Sequence, residues 1–227
     1  MNRFEELFRH KKMTLIMSLP VNDADMCRAA FEAGADAVKV HINLHHNAGG
    51  EDLGGYTENR EVFMQMLSCA KGPMGIVPGA SAEGIMKDIE KVRSSGFEFV
   101  SFYTKFLPVR ALPLPQTLMV ACDGSFTYPE IAAYERLGAG VLEASVIPSS
   151  EYGQPLNFRD LATYASISAN TKLPVVVPTQ RAIGPEDVKY LWQSGVRGLM
   201  IGAVVTGKSV SGVYDAVAQY RREIDKL

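Results

Sequence analysis

Four stretches of this chain repeat one order of features: an acidic or turn-forming start, a helical run, a glycine, then a short apolar strand. They read DADMCRAAFEAGADAVKVHI, SAEGIMKDIEKVRSSGFEFVSFY, YPEIAAYERLGAGVLEASV and GPEDVKYLWQSGVRGLMIGA. The repeat is one of arrangement and not of residue identity. Gly34, Gly96, Gly138 and Gly195 follow the four helical runs, where a left-handed residue ends a helix at little cost. A further apolar strand precedes each unit: MTLIMSL, PMGIVPG, TLMVACD and LPVVVPT. Strand–helix–strand units in tandem predict a parallel sheet, and strands this apolar need cover on both faces.

The expected fold is therefore α/β, a single (β/α)8 TIM barrel over residues 1–227, a length usual for that architecture. An open doubly wound sheet is the rival, but the strand count and a helix after the last strand favour closure. Helices are expected over 23–33, 59–70, 82–95, 129–137, 157–170, 185–194 and 209–226. The fourth is shortened or missing, because KFLPVRALPLPQ carries Pro108, Pro113 and Pro115, which leave room for one turn at best. That gap would expose Leu107, Leu112 and Leu114 and could suit a homodimer contact. An extra N-terminal helix over 2–10 is expected to close the barrel bottom with Phe4, Leu7 and Phe8.

Apolar residues make up 47% of the chain, enough for a buried core, and the net charge is −2. No basic surface advertises nucleic acid. Cys27, Cys69 and Cys122 are unpaired in spacing, which fits a reducing compartment and no structural zinc. The charged start MNRFEELFRHKK is no signal peptide, and no apolar run is long enough to span a bilayer. A cytoplasmic protein needing neither membrane nor cofactor is the expectation.

Strand alternation assigns faces. Lys39, His41 and Asn43 should point inward from the second strand, Ser101, Tyr103 and Lys105 from the fourth, and Ala121 and Asp123 from the fifth. Glu143 and Ser145 should do so from the sixth, and Val177 and Thr179 from the seventh. These polar groups gather at the strands' carboxyl ends, where barrel chemistry sits. A buried lysine and glutamate need partners. Lys39 and Glu143 either pair to fill the core or take part in proton transfer or covalent chemistry.

The loop NLHHNAGGEDLGGYTENR is the longest stretch without periodicity, and its glycines suit a lid. His41, His45 and Asp52 could be read as metal ligands, but loop histidines are more commonly solvated, and no metal is expected. The stretch 47–50, NAGG, could present amides to an anion. In the last two strands, PVVVPTQRAIGPEDV and GLMIGAVVTG place Gly184 before a proline-led helix and Gly202 at a strand end. Helix amino termini and bare amides bind phosphate, and barrels hold phosphate after these strands. Arg181, Ile183, Gly184, Gly202 and Ala203 are the expected phosphate residues.

On these motifs, and on ACDGSFTYPEIAAYERLGAGVLEAS, the chain resembles the ribulose-phosphate-binding barrels, most nearly the N-acetylmannosamine-6-phosphate 2-epimerases. The resemblance is clearest over residues 117–227 and implies a TIM barrel that binds a phosphorylated sugar. The family's catalytic lysine at the end of strand three has no counterpart in GIVPGAS, and Thr179 stands where it has a glutamate, although Arg181 is kept. The resemblance thus implies the phosphate site more than the epimerase reaction.

The leading expectation is an enzyme for a small phosphorylated metabolite, of isomerase or epimerase type. Lys39 and Glu143 would be the acid–base pair, with His41 and Asp123 orienting substrate. A Schiff-base aldolase or lyase using Lys39 or Lys105 and a non-catalytic phosphate binder are the alternatives.

Overall fold

The computed structural model describes residues 2–46 and 49–227. Its elements run α1 (Arg3–His10), β1 (Thr14–Ser18), α2 (Ala24–Glu32), β2 (Ala37–His41), β3 (Leu44–His46), β4 (Glu51–Leu53), α3 (Arg60–Cys69), β5 (Met74–Val77) and α4 (Ala82–Arg93). There follow β6 (Phe99–Tyr103), β7 (Thr117–Cys122), α5 (Tyr128–Tyr134), β8 (Val141–Ala144), α6 (Phe158–Ala169), β9 (Val175–Pro178), α7 (Val188–Gln193), β10 (Gly198–Ile201), α8 (Ala203–Thr206) and α9 (Val210–Ile224). The sheet closes in the order β1-β10-β9-β8-β7-β6-β5-β2, and its neighbours pair in parallel. The fold is the TIM barrel and not the open sheet. Among the described residues no helix is long and apolar enough to cross a membrane.

Local chemistry accounts for the helix starts. Side chains of Asn2, Asp23, Ser81, Thr127, Asn157 and Ser209 accept hydrogen bonds from first-turn amides, each contributing about 1 kcal/mol. Three of the four repeat glycines, Gly34, Gly138 and Gly195, are left-handed. Gly96 is not; a Cβ there would come within 3.3 Å of Leu67, so close packing and not backbone conformation explains it. The fourth helix is absent. Two 3-10 turns, Thr104–Phe106 and Val109–Ala111, take its place. Leu107, Leu112 and Leu114 are half-buried against the core instead of exposed, whereas the large apolar side chain of Val109 lies in solvent.

Two apolar clusters form the core. The larger lies between strands and helices. The smaller fills the barrel's lower interior with Ile16, Ala37, Phe99, Met119, Val141, Val176 and Met200, and Phe4 of α1 closes it. The Phe4 and Phe99 rings stack 3.8 Å apart. Gly75 makes that possible, since a Cβ there would sit 2.1 Å from the Phe99 ring. Val177 packs in the outer cluster and Val176 in the inner one, so the seventh barrel strand runs one residue out of phase with the expectation. Its uniform run of valines gives alternation nothing to grip.

Candidate active site at the barrel mouth

Above the apolar plug the barrel interior turns polar and encloses a cavity of about 160 Å³. Each inward position one step up from the plug contributes a wall: Lys39 follows Ala37, Ser101 follows Phe99, Ala121 follows Met119 and Glu143 follows Val141. Lys39 Nζ lies 3.1 Å from Glu143 Oε2, and the Ser101 hydroxyl donates to the same oxygen at 3.0 Å. Both charged side chains are about 5% exposed. Glu143 Oε1 receives no hydrogen bond among the described residues. The pair is thus buried, balanced in formal charge, and open to a ligand at one oxygen.

Two imidazoles stand beside Lys39. His41 extends from β2, where Asn22 brackets its backbone with bonds to both N–H and C=O. Its Nε2 is 3.5 Å from Ser18 Oγ, the limit of a hydrogen bond. His46 reaches the cavity from β3, and the two rings are 4.4 Å apart. Burial first, then His46 and the Lys39 charge, hold His41 well below the usual histidine range; burial first, then Lys39, with smaller effects of His45 and Lys208, brings His46 to about 4. Both are neutral at neutral pH.

β3 and β4 form an antiparallel hairpin over the mouth, unforeseen in the sequence. Asn43 leads into it with φ 54° and does not enter the cavity. Its amide instead donates to Asp88 Oδ2, Pro78 O and Gly84 O. Lys208 holds the far side through Glu51 at 3.0 Å. His45 pairs with Asp52 across the hairpin at 2.8 Å, both exposed, and His41 takes no part in that pair. Among the described residues no three His, Cys, Asp or Glu side chains cluster as metal ligands. Of the stretch 47–50, Asn47 and Ala48 lie outside the described residues.

The expected phosphate residues separate. Gly202 lines the cavity, and its amide donates to Thr179 Oγ1 at 3.0 Å. Ala203 follows it as the first residue of α8. Arg181, Ile183 and Gly184 do not line the cavity. Arg181 is buried and neutralised, at 2.8 Å from Asp160 and 2.6 Å from Glu151. Ile183 is packed in the core. The Gly184 amide donates to Asp187 Oδ2, and the Glu186 carboxylate would touch any Cβ at Gly184. Acidic side chains thus occupy the first glycine turn, while the second opens on the cavity.

Asp123 and Lys105 also sit outside the cavity, as a rim ion pair at 2.5 Å. Hydrogen bonds from Lys105 and Ser125 bring the Asp123 carboxyl to about 2. Ser145 and Tyr103 do line the cavity, with two residues that alternation missed, Gln180 and Tyr152. Gln180 was hidden by the misphased seventh strand. Tyr152 lies in a loop without any periodic signal.

No protein-family model matches the chain, and no curated protein sequence matches it. Solved structures match over nearly full length. Thiamine phosphate pyrophosphorylase from Pyrococcus furiosus has a TM-score of 0.66 at 15% identity, covering 95% of this chain and 97% of that one. An open form of tryptophan synthase from M. tuberculosis has a TM-score of 0.69 at 13% identity, covering 99% of both. Tryptophan synthase from Pyrococcus furiosus has a TM-score of 0.67 at 12% identity, covering 92% and 98%. At such identities the likeness is one of fold.

Proposed function

We propose that the chain is an enzyme that moves a proton next to the carbonyl of a small phosphorylated compound. The observation that carries this is the Lys39–Glu143 pair at 3.1 Å inside the cavity. Glu143, with Oε1 free, is the base at carbon, and the Lys39 ammonium stabilises the charge and returns a proton. Charges held buried in fixed geometry are the usual means of such catalysis. The neutral imidazoles of His41 and His46 orient the substrate's hydroxyls.

Phosphate has narrower support than the glycine motifs promised. The Ala203 and Val204 amides at the start of α8 have no acceptor among the described residues, and such amides attract anions. One fold neighbour is named for a phosphorylated compound, thiamine phosphate. Arg181 has no part in this reading. The resemblance to the N-acetylmannosamine-6-phosphate 2-epimerases supports the type of ligand and not their catalytic pair, since GIVPGAS has no lysine and Thr179 stands at the glutamate's place.

A thermal-shift panel of phosphorylated aldoses and ketoses, each beside its unphosphorylated form, tests the ligand class. A true ligand at a hundredfold its Kd stabilises by about 2.7 kcal/mol. Equal shifts from both forms would remove phosphate from the reading. Lys39 also sits where a Schiff base could form. Borohydride reduction with the best ligand separates the routes, because only a Schiff base leaves a covalent adduct on Lys39.

A further inference from the structure

One wall of the cavity is a chain of four polar side chains, Tyr103, Ser145, Gln180 and Tyr152. Gln180 sets its direction. The Ile147 amide donates to Gln180 Oε1 at 3.1 Å, and turning the side chain over would set N–H against N–H. Gln180 Nε2 therefore donates to Ser145 Oγ at 2.9 Å and to Tyr152 Oη at 2.7 Å. Both hydroxyls accept, so each must turn its own hydrogen elsewhere.

Tyr103 Oη and Ser145 Oγ, 2.6 Å apart, share one hydrogen. Three hydroxyls bring three hydrogens, and that contact uses one of them. The Tyr103 and Tyr152 phenols also interact; a hydrogen passed between them still leaves one unspent. The described residues offer no further acceptor within hydrogen-bond distance of these hydroxyls. Burial above all, and the nearby Glu143 charge, push both phenols up, so they stay protonated donors at neutral pH. A buried donor without an acceptor is costly, and the cavity is where these donors can find one.

We propose that this hydroxyl wall is an oxyanion subsite that takes the carbonyl oxygen of the substrate as it becomes an enolate oxygen. The proposal rests on the proton-transfer reading and adds a second set of donors, beside the Lys39 ammonium, at the developing charge. Glu143 takes the proton from carbon, the C–H electron pair becomes the C=C bond, and the carbonyl π pair moves to oxygen. The wall donates to that oxygen, and reprotonation at carbon reverses the flow. Fixed donors aimed at developing charge are the strongest kind of catalytic group. Gln180 is a positioning residue, acting through Ser145 and Tyr152.

Acetate and acetamide are isosteric probes that differ in oxygen charge, so NMR titration of both tests the wall apart from any phosphate. In each tyrosine variant the ratio of acetate to acetamide affinity should fall, by about tenfold for Tyr152→Phe combined with Tyr103→Phe. Gln180→Met should lower the ratio as well while acetamide affinity holds, an effect that a merely structural role would not give. Wild type binding neither probe, or a ratio unchanged in the double variant, overturns the subsite. Should the double variant not fold, Tyr152→Phe alone decides by the same criterion. Solvent deuterium exchange into a substrate separates the two levels. Exchange with an unchanged ratio sinks only the subsite, and a lowered ratio without exchange sinks only the proton-transfer reading.

Discussion

Lys39 and Glu143 are each untenable alone in the barrel. Removing one partner of a buried pair strands the other charge, so Lys39→Met should destabilise the protein by about 3–5 kcal/mol. Lys39→Met with Glu143→Leu should recover most of that loss in urea unfolding, because an apolar pair of similar volume is tolerated. A single variant no less stable than wild type would mean that the remaining charge is solvated in the cavity. The histidines make a second residue-scale prediction. His46 titrates near 4 when folded and near 6.5 when unfolded, so the unfolded chain binds more protons between those values. Stability then rises with pH, and on acidification it is lost from about pH 6.5, with the His46 share complete below about 4. Thermal unfolding of His46→Gln across that window should show a shallower slope than wild type.

The hairpin is fastened at its base by one carboxylate. Asp88, buried on α4, accepts from Asn43 Nδ2 at 2.9 Å, the Tyr56 amide at 3.0 Å and Lys91 at 2.7 Å. Asp88→Ala should speed hydrogen exchange at the Tyr56 amide and leave the amides of β7 and β8 unchanged. Equal acceleration throughout would mean a global effect and no local anchor. The same region shows where the sequence stops being informative. Barrel strands and most helices were legible because burial imposes a period and caps mark the ends. Asn59 and Ala70, for example, bound α3 as expected. Lys39, His41, Ser101, Tyr103, Glu143 and Ser145 came to the cavity from alternation alone. The hairpin was not legible, since three-residue strands carry too few positions for a pattern. The Arg181 ion pairs were not legible either, because a motif gives a residue's place in the chain but not its partners Asp160 and Glu151.

At the scale of the whole molecule, the barrel is divided into an apolar lower half and a polar upper half, and α1 seals the lower end. Phe4 is wholly buried against Phe99, so Phe4→Ala should cost about 3–5 kcal/mol of stability. Because the plug lies below the cavity, ligand affinity in that variant should hold wherever it remains folded. The division also sets Lys39 and Glu143 together above the plug, where the proposed chemistry lies. Proton NMR in D2O, with phosphorylated aldoses and ketoses, follows the hydrogen beside the carbonyl directly. Wild type should wash that signal out of at least one compound, and Lys39→Met and Glu143→Gln, at temperatures where each remains folded, should not. Washout that survives in either folded variant would contradict the proton-transfer reading.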